Sequence, residues 1–478
     1  MDSTIGPNRR KTATATVGAA LWYLPIVVTG LAIWRWGLDT RTVIIVGSFV
    51  AVALAPLPSW AWAALALGAS LLSRIFTSSG LLPNVFDFAD FGLIYAGLAA
   101  VLLRRGIRSR PEARTLAFAL LLLLVITCLS WMLQPSDIAR PFLTFALWAE
   151  PFALILLLIA EPPSPRNARR LFVWFTFLVV AQLPFAIYQA VTYGEGDPVV
   201  GTLSGSGAGA HVIAGVGVLA GLAMLAWGFS GSFGRAVFAV VVASPLLIGL
   251  PLLADAKQVI FAVPLAAVVL AVCARGAVRK LMILVVPSIA LVVLLAVVPA
   301  GQIALSFLEQ ASEGQSGKIV ALHILQGEFG SSLTRWSFGL GPANGLSRAA
   351  YLTRPEKDSA LLLLELEPAP LPPVADAEAG RTTGGTSFNT PLSSAFGVLS
   401  DIGVVGLIAF GALVLSVMAP LWARRRDWLA QAALAGWVMS VPLALTFDWW
   451  EQPPFMLSLA LISGLAISAS GGAEASGS

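Results

Sequence analysis

The stretch ALWAEPFALILL, residues 146–157, holds one carboxylate among apolar side chains. It lies in an apolar run over residues 141–160, and a helix needs about 20 apolar residues to cross a bilayer core of about 30 Å. The whole chain of 478 residues has this character, with 58% hydrophobic and 11% charged residues. Soluble domains carry roughly 25% charged residues. The sequence therefore predicts a protein whose solvent is mostly lipid.

Similar apolar runs recur along the chain and predict an all-α fold, a polytopic transmembrane helix bundle of about 14 spans (12–14). The second and third runs are separated by Pro56 and Pro58 and form either one re-entrant hairpin or two short spans. The runs are 16–34, 42–56, 59–73, 86–103, 115–134, 141–160, 171–192, 209–228, 235–254, 257–274, 281–299, 401–422, 428–447 and 454–470.

The basic residues support this order of spans, because Lys and Arg concentrate in cytoplasmic loops. With the N-terminus inside, 18 of the 29 basic residues fall in short loops on the cytoplasmic side. These residues lie around Arg9, Arg104, Arg166, Arg235, Arg279 and Arg424. The alternation predicts a multi-pass protein of the cytoplasmic (inner) membrane with both termini in the cytoplasm.

The same topology divides the chain into a bundle of about 11 spans (1–299), a loop (300–400), three last spans (401–470) and a cytoplasmic tail (471–478). The loop is placed outside the cytoplasm. Its first part, 302–329, has helical spacing and is expected to lie along the membrane surface. Its Pro-, Ala- and Gly-rich stretch 367–385 is expected to be flexible.

The predicted outer loop contains WSFGLGPANGLSR, residues 336–348, preceded by Arg335. Its glycines allow backbone N–H groups to approach a ligand closely and to form an anion-binding nest. Guanidinium groups at both ends suit phosphate oxygens. The alternative is an ordinary turn with two solvated arginines. The residues concerned are Arg335, Gly339, Gly341, Asn344, Gly345 and Arg348.

Other polar residues are expected on the same side of the membrane, where isolated charges near spans are costly and tend to be functional or paired. Glu150 differs from them, because it lies deep in its span before Pro151 and has either a functional or a structural role. The others are Arg74 in the loop after the third span, Asp87, Asp90, Arg140, His211, Asp255, Lys257, Asp448 and Glu451.

Several chemistries are excluded by the sequence. It has no Walker A, GxSxG or HExxH motif. Two histidines, His211 and His323, and two cysteines in apolar runs, Cys128 and Cys273, do not make the usual zinc site. We expect no metal and no cofactor, and a net charge of +4 does not indicate a nucleic-acid partner.

The arrangement of many spans, one long outer loop and an FGLGPxxxLSR-type stretch resembles the O-antigen ligase and Wzy-type O-antigen polymerase superfamily. GDPVVGTLSGSGAGAH (196–211) and ADAKQ (254–258) are similar to elements of its polymerase-like members. The ligase signature is His, then Asn, Ser or Gln, nine residues, Gly, two residues and Gly, Thr or Tyr. Ser393, Gly403 and Gly406 fit it, while Leu392 replaces the histidine.

The resemblance implies a surface-polysaccharide polymerase, a metal-independent glycosyltransferase with a polyprenyl-diphosphate-linked glycan as donor and inversion at the transferred sugar. The acceptor would be a lipid-linked glycan. A ligase would instead use a lipid-A core or a protein, and the missing histidine argues against it. Further partners would be the lipid bilayer and other polysaccharide-assembly membrane proteins.

The resemblance also implies roles for the polar residues. Cations would stabilise charge on the departing diphosphate, and a base would activate the acceptor hydroxyl. A transporter or flippase of lipid-linked glycan and a non-enzymatic scaffold are the alternatives from other classes. The cations are Arg335, Arg348 and Lys257, then Arg140 and Arg74, and the base is one of His323, Asp448, Glu451 and Asp90.

Overall fold

The computed structural model describes residues 50–78, 88–106, 110–203, 208–273, 323, 325–352 and 393–469. Within these ranges every regular element is a helix and no strand occurs. The predicted spans 16–34 and 281–299, the stretch 367–385 and both termini lie outside the described residues, as do Asp87 and Leu392.

The first part of the chain forms ten of the described helices. A π-helical turn, Pro245–Gly249, joins α8 to α9. The helices are α1 (Ser59–Ser78), α2 (Ala89–Arg105), α3 (Pro111–Leu133), α4 (Ala139–Ala160), α5 (Pro165–Val180), α6 (Gln182–Tyr193), α7 (Ala208–Phe229), α8 (Phe233–Ser244), α9 (Leu250–Leu253) and α10 (Lys257–Cys273).

The last part of the chain forms two short helices and three long ones. A 3₁₀ turn, Trp449–Glu451, links the last two. The helices are α11 (Leu333–Phe338), α12 (Arg348–Leu352), α13 (Ser394–Ala423), α14 (Trp428–Thr446) and α15 (Pro453–Ser468).

Seven segments of the described part are long and apolar enough to cross a membrane. This confirms the prediction of a helical membrane protein. The predicted ends are close where they can be compared, since span 115–134 corresponds to α3, Pro111–Leu133. The seven are Pro111–Leu133, Arg140–Ala160, Pro165–Tyr193, Gly209–Phe229, Phe233–Leu253, Ser394–Ala423 and Trp428–Thr446.

The centre of the bundle consists of helices that are apolar on all sides, as expected for buried helices. All described side chains of α15 from Pro454 to Ser468 are buried. Small residues let these helices approach closely. A Cβ atom on Gly464 would lie 2.7 Å from a methyl carbon of Leu158 in α4, so a larger residue there would push α4 and α15 apart.

One end of the bundle, called here the basic end, is held by ion pairs between helix termini. Arg104 Nη2 of α2 lies 3.0 Å from Glu161 Oε2 after α4. Arg424 Nη2 after α13 lies 2.9 Å from Glu112 Oε1 of α3. The opposite ends of these helices therefore meet at the other end of the bundle, called here the loop end.

Two sequence-based boundaries need correction. Arg74 lies inside α1, which continues to Ser78, and not in a loop after it. The predicted span 401–422 begins earlier, because α13 starts at Ser394. Gly403 interrupts α13 with φ 71°, so residues 394–402 form a separate helical segment ahead of the kink.

Candidate functional site

The glycine-rich stretch 336–348 lies at the loop end, packed against the kinked start of α13. Leu340 N donates to Ser400 O at 2.7 Å, and Gly341 N donates to Asp401 O at 3.2 Å. These carbonyl groups precede the kink at Gly403, where the backbone leaves helical geometry. The kink thus turns main-chain acceptors of a membrane helix toward the loop.

Glycine is required on both sides of this contact. Gly339 has φ 77°, and a Cβ there would lie 2.5 Å from the carbonyl carbon of Asp401. Gly403 has φ 71°, and a Cβ there would lie 2.3 Å from Ser337 O. Only glycine adopts such φ values without strain and also leaves room for opposing backbone.

The backbone nest predicted in this loop does form, but its anion is part of the chain. Ala343 N donates to Asp401 Oδ2 and Gly345 N to Asp401 Oδ1, both at 2.9 Å. Ser347 Oγ donates to Asp401 Oδ2 at 2.5 Å. The N–H group of Gly345, predicted to face a ligand, and that of Ala343 bind the Asp401 carboxylate instead.

At the end of the loop, Arg348 is fixed on the 3₁₀ turn before α15. Its backbone N–H donates to Glu451 Oε2, and its Nη1 donates to Glu451 O at 2.5 Å. Arg348 is partly exposed. The hydrogen bonds of its guanidinium group within the described residues involve Nη1, which leaves Nε and Nη2 for a ligand.

Glu451 is a buried carboxylate with one unused oxygen. Its side chain is 3% exposed, and Oε1 has no hydrogen-bond partner in the described part of the chain. Gly397 leaves space beside it, because a Cβ there would lie 2.7 Å from Oε1. Burial raises the pKa of the Glu451 carboxyl well above its ordinary value, Asp448 raises it further, and the N–H of Arg348 lowers it.

The turn that carries Glu451 is anchored to its neighbours. Gln452 Nε2 donates to Asp448 Oδ2 at 2.6 Å, and Trp450 N donates to Ser394 Oγ at 2.9 Å. Ser393 Oγ donates to Ala444 O of α14 at 2.8 Å. Ser394 thus joins the turn to α13, and Ser393 joins the start of α13 to α14.

Arg140 approaches the same loop from the start of α4. It is 4% exposed, and its Nη1 donates to Asn344 Oδ1 at 2.8 Å. Asn344 Nδ2 donates in turn to Leu340 O at 3.2 Å. Arg140 therefore contacts the loop 340–348, which ends at Arg348, 208 residues further along the chain.

Glu150 of α4 lies below this loop, toward the middle of the bundle. It is 2% exposed, and its Oε1 has no hydrogen-bond partner among the described residues. It interacts electrostatically with Asp90 of α2 and with Arg348. Tyr95, also on α2, donates its hydroxyl to Ala146 O at 2.7 Å.

We call Asp90, Arg140, Glu150, Arg348, Asp448 and Glu451 the arginine–acid cluster. It contains four carboxyl groups and two guanidinium groups, and all members except Arg348 are buried. Buried charges of one sign are costly unless paired or neutralised by protons. In the described residues, no group of three or more metal-ligating side chains is close enough to hold a metal ion.

Two of the remaining predicted residues, Arg335 and His323, are not brought to the cluster. Arg335 is exposed, and its Nη1 donates to Glu328 O at 2.8 Å. His323 is exposed as well. Lys257 starts α10 and Arg74 lies in α1, but their side chains are outside what the structure describes.

Asp401 was missed by the sequence reasoning, although it lies in the matched stretch SSAFGVLSDIGVVGLIAF. A signal was present, because an acid at the start of an apolar membrane helix needs a partner. The partners are loop N–H groups, which no side-chain pattern reveals.

No model of a known protein family matches the chain, and no curated protein matches it.

Proposed function

We propose that the protein is a surface-polysaccharide polymerase, which transfers a glycan from a polyprenyl diphosphate to a lipid-linked glycan acceptor at the outer face of the cytoplasmic membrane. The observation that carries this proposal is the arginine–acid cluster at the loop end of a membrane helix bundle. It combines cations suited to a diphosphate with a buried carboxylate suited to accept a proton.

The arginines would stabilise the leaving group. When the bond between the sugar and the diphosphate breaks, negative charge develops on phosphate oxygens. Arg348 is oriented by the Glu451 carbonyl through Nη1, so its other nitrogens can donate to those oxygens. Arg140 is held on the same loop by Asn344. A guanidinium group is suited to this task because its donors form a planar fork.

Glu451 would act as the base. The acceptor hydroxyl gives its proton to Glu451 Oε1, its oxygen forms the new bond to the anomeric carbon, and the bond to the diphosphate breaks with its electron pair. A carboxylate with a raised pKa is a better base near neutral pH than an ordinary one. This role fits the unused oxygen of Glu451 and replaces the histidine of the ligase signature.

A transporter of lipid-linked glycan is the second candidate, and the observation that favours it is Glu150. A buried carboxyl group within a membrane span is often part of a substrate or proton pathway. Pro151 and Pro264 lie inside α4 and α10, where helix interruptions of the kind found in transporters occur. A ligase would share the cluster chemistry and differ in its acceptor.

Reconstitution distinguishes these functions. Purified protein in liposomes receives a polyprenyl-diphosphate-linked oligosaccharide, and products are separated on a glycan gel. A polymerase yields a ladder of longer lipid-linked glycans without a further acceptor. A single transfer that needs an added lipid-A core or protein indicates a ligase. Movement of intact donor across the membrane without any product would refute the enzyme and favour the transporter.

A further inference from the structure

At the basic end of the bundle, the described arginines outnumber the acids that could pair with them. Glu161 Oε2 lies 3.0 Å from Arg104 Nη2, and Glu112 Oε1 lies 2.9 Å from Arg424 Nη2. Asp427, which is exposed between α13 and α14, is the third acid described at this end. In the described part of the chain, no carboxylate lies within 4 Å of six exposed arginines at this end, which are Arg114, Arg166, Arg169, Arg170, Arg235 and Arg426.

Three of these arginines, called here the α5 arginine triplet, lie in the first two turns of α5. Arg166 precedes Arg169 and Arg170 by three and four residues, so the three side chains share one face of the helix. Among the described residues, none of the three guanidinium groups has a hydrogen bond, an ion pair or a ring contact. Ser164 Oγ already caps the helix by accepting from Asn167 N at 3.3 Å. The free donors here are therefore side chains, with five N–H groups on each.

The face of α5 that carries the triplet continues as an apolar stripe on the surface of the bundle. Trp174 and Phe177 follow Arg170 by four and seven residues, and both are exposed although they are large and apolar. The segment Pro165–Tyr193 is long and apolar enough to cross a membrane, so exposed apolar side chains on it face acyl chains. The triplet therefore lies at the end of a lipid-facing stripe, where the headgroups begin.

Helix α3 repeats this pattern. Arg114 is exposed near its start, and Phe118, Leu121 and Val125 follow at spacings of four, three and four residues. All three apolar side chains are exposed, and α3 is itself long enough to cross a membrane. Arginines thus lie at the rim of the basic end, beside lipid, and not only over the middle of the bundle.

Tryptophan rings mark the membrane interface at the same end. The guanidinium carbon of Arg425 lies 5.2 Å from the ring centroid of Trp422, and that of Arg235 lies 5.1 Å from the ring centroid of Trp227. Tryptophan is enriched at the level of the headgroups, and a cation over its ring is attracted to the ring face. The arginines of the rim therefore lie in the layer that lipid phosphates occupy.

We propose that the α5 arginine triplet binds the headgroup phosphate of an anionic phospholipid in the leaflet at the basic end. Guanidinium groups donate paired hydrogen bonds to phosphate oxygens, and clustered arginines at a membrane surface attract anionic lipids. A nucleic acid or an acidic soluble protein also carries anions, but the triplet continues into a stripe that faces acyl chains, which is the environment of a lipid. This site is separate from the proposed transfer, which takes place at the loop end, and does not depend on it.

Native mass spectrometry of the full chain in detergent tests the proposal, with phosphatidylglycerol and phosphatidylcholine of the same acyl chains as the two probes. The wild type should bind its first phosphatidylglycerol several-fold more tightly than phosphatidylcholine. The triple variant Arg166→Gln, Arg169→Gln, Arg170→Gln should bind phosphatidylglycerol about 10-fold more weakly or worse, since one arginine near an anionic surface contributes about 5-fold. Its affinity for phosphatidylcholine should not change.

Two controls separate the triplet from net charge in general. Replacement of the same three arginines by lysine keeps the charge and should keep most of the preference for phosphatidylglycerol. Arg335→Gln removes an exposed arginine at the loop end and should bind both lipids as the wild type does. Wild-type affinity for phosphatidylglycerol in the glutamine triple variant would overturn the proposal, as would equal affinities of the wild type for the two lipids. Displacement of phosphatidylglycerol by millimolar inorganic phosphate would overturn the lipid assignment in favour of a site for free anions.

A measurement with the triplet intact covers the case in which the triple variants do not fold. Trp174 lies one turn from Arg170, so lipid bound by the triplet should quench its fluorescence when the acyl chains are brominated. The contribution of Trp174 is the difference between the wild type and Trp174→Phe, measured in phosphatidylcholine nanodiscs that contain a minor share of brominated lipid. This contribution should be quenched more by brominated phosphatidylglycerol than by brominated phosphatidylcholine. Equal quenching by the two lipids would overturn the proposal.

Discussion

The Asp401 carboxylate offers the sharpest test of how the loop end is built. It accepts hydrogen bonds from Ala343 N, Gly345 N and Ser347 Oγ. In Asp401→Asn the amide would keep its oxygen toward Ala343 and Ser347, so its NH₂ group would face the N–H of Gly345. A buried donor left without an acceptor costs about 1–3 kcal/mol, and the two remaining bonds lose their charge assistance. We expect a loss of about 2–4 kcal/mol from these terms.

Two measurements check this prediction in detergent-solubilised protein. Thermal unfolding should occur several degrees lower in Asp401→Asn, and hydrogen exchange of the amides in 340–348 should become faster. Asp427→Asn is the matched control, because Asp427 is exposed after α13 and makes no side-chain cap. Unchanged exchange in 340–348 together with an unchanged melting temperature would refute the role assigned to Asp401.

Three further perturbations follow from the same contacts. Gly403→Ala should lower the free energy of unfolding by about 2 kcal/mol or more, since φ is 71° and a Cβ would collide with Ser337 O. Gly411→Ala is the control, because a Cβ there would meet nothing within 4 Å, and it should leave the stability unchanged. Equal melting temperatures of the two variants would contradict this prediction. Glu451 has a raised folded-state pKa, so its contribution to stability is complete below about pH 4.5 and is lost as pH rises through the folded value. Unfolding curves measured across pH should therefore be flatter for Glu451→Gln, and identical pH profiles would count against it. Arg348→Lys should weaken diphosphate binding by about 10-fold, because one planar fork of donors is lost; affinity equal to wild type would show that only charge matters.

The helical architecture could be predicted from sequence because the lipid environment places the same requirement on every membrane-spanning segment. Every backbone group in the bilayer must be paired, so apolar runs of about 20 residues become helices. Predicted and observed bounds agree for α3, α4 and α14 within a few residues. The start of α13 differs, because the Gly403 kink creates a helical segment that hydropathy cannot separate from the preceding loop.

The site could be predicted in part from residue types. The sequence predicts Arg140, Arg348 and Glu451 as charges near one membrane face, and the fold brings them to one loop. The same reasoning predicts Arg335 there, but its Nη1 donates to Glu328 O and the side chain is exposed. Sequence spacing does not distinguish the two arginines of the stretch, because which one faces the bundle depends on how the loop docks.

The anion nest could not be read from sequence for a different reason. Gly339, Gly341 and Gly345 predict that N–H groups converge, but the identity of their acceptor depends on tertiary contacts. Asp401 is 56 residues beyond Gly345 and fills the nest. In a membrane protein, the backbone N–H groups of such a nest can therefore bind an acidic side chain of a neighbouring span and not an external phosphate.

The central claim is that the arginine–acid cluster binds the diphosphate of a glycan donor during transfer. The most direct measurement is the release of polyprenyl diphosphate from a labelled lipid-linked oligosaccharide in liposomes, with Arg348→Ala and Arg335→Ala compared with the wild type. We expect release by the wild type and by Arg335→Ala, and its loss in Arg348→Ala. Release by Arg348→Ala at the wild-type rate would contradict it.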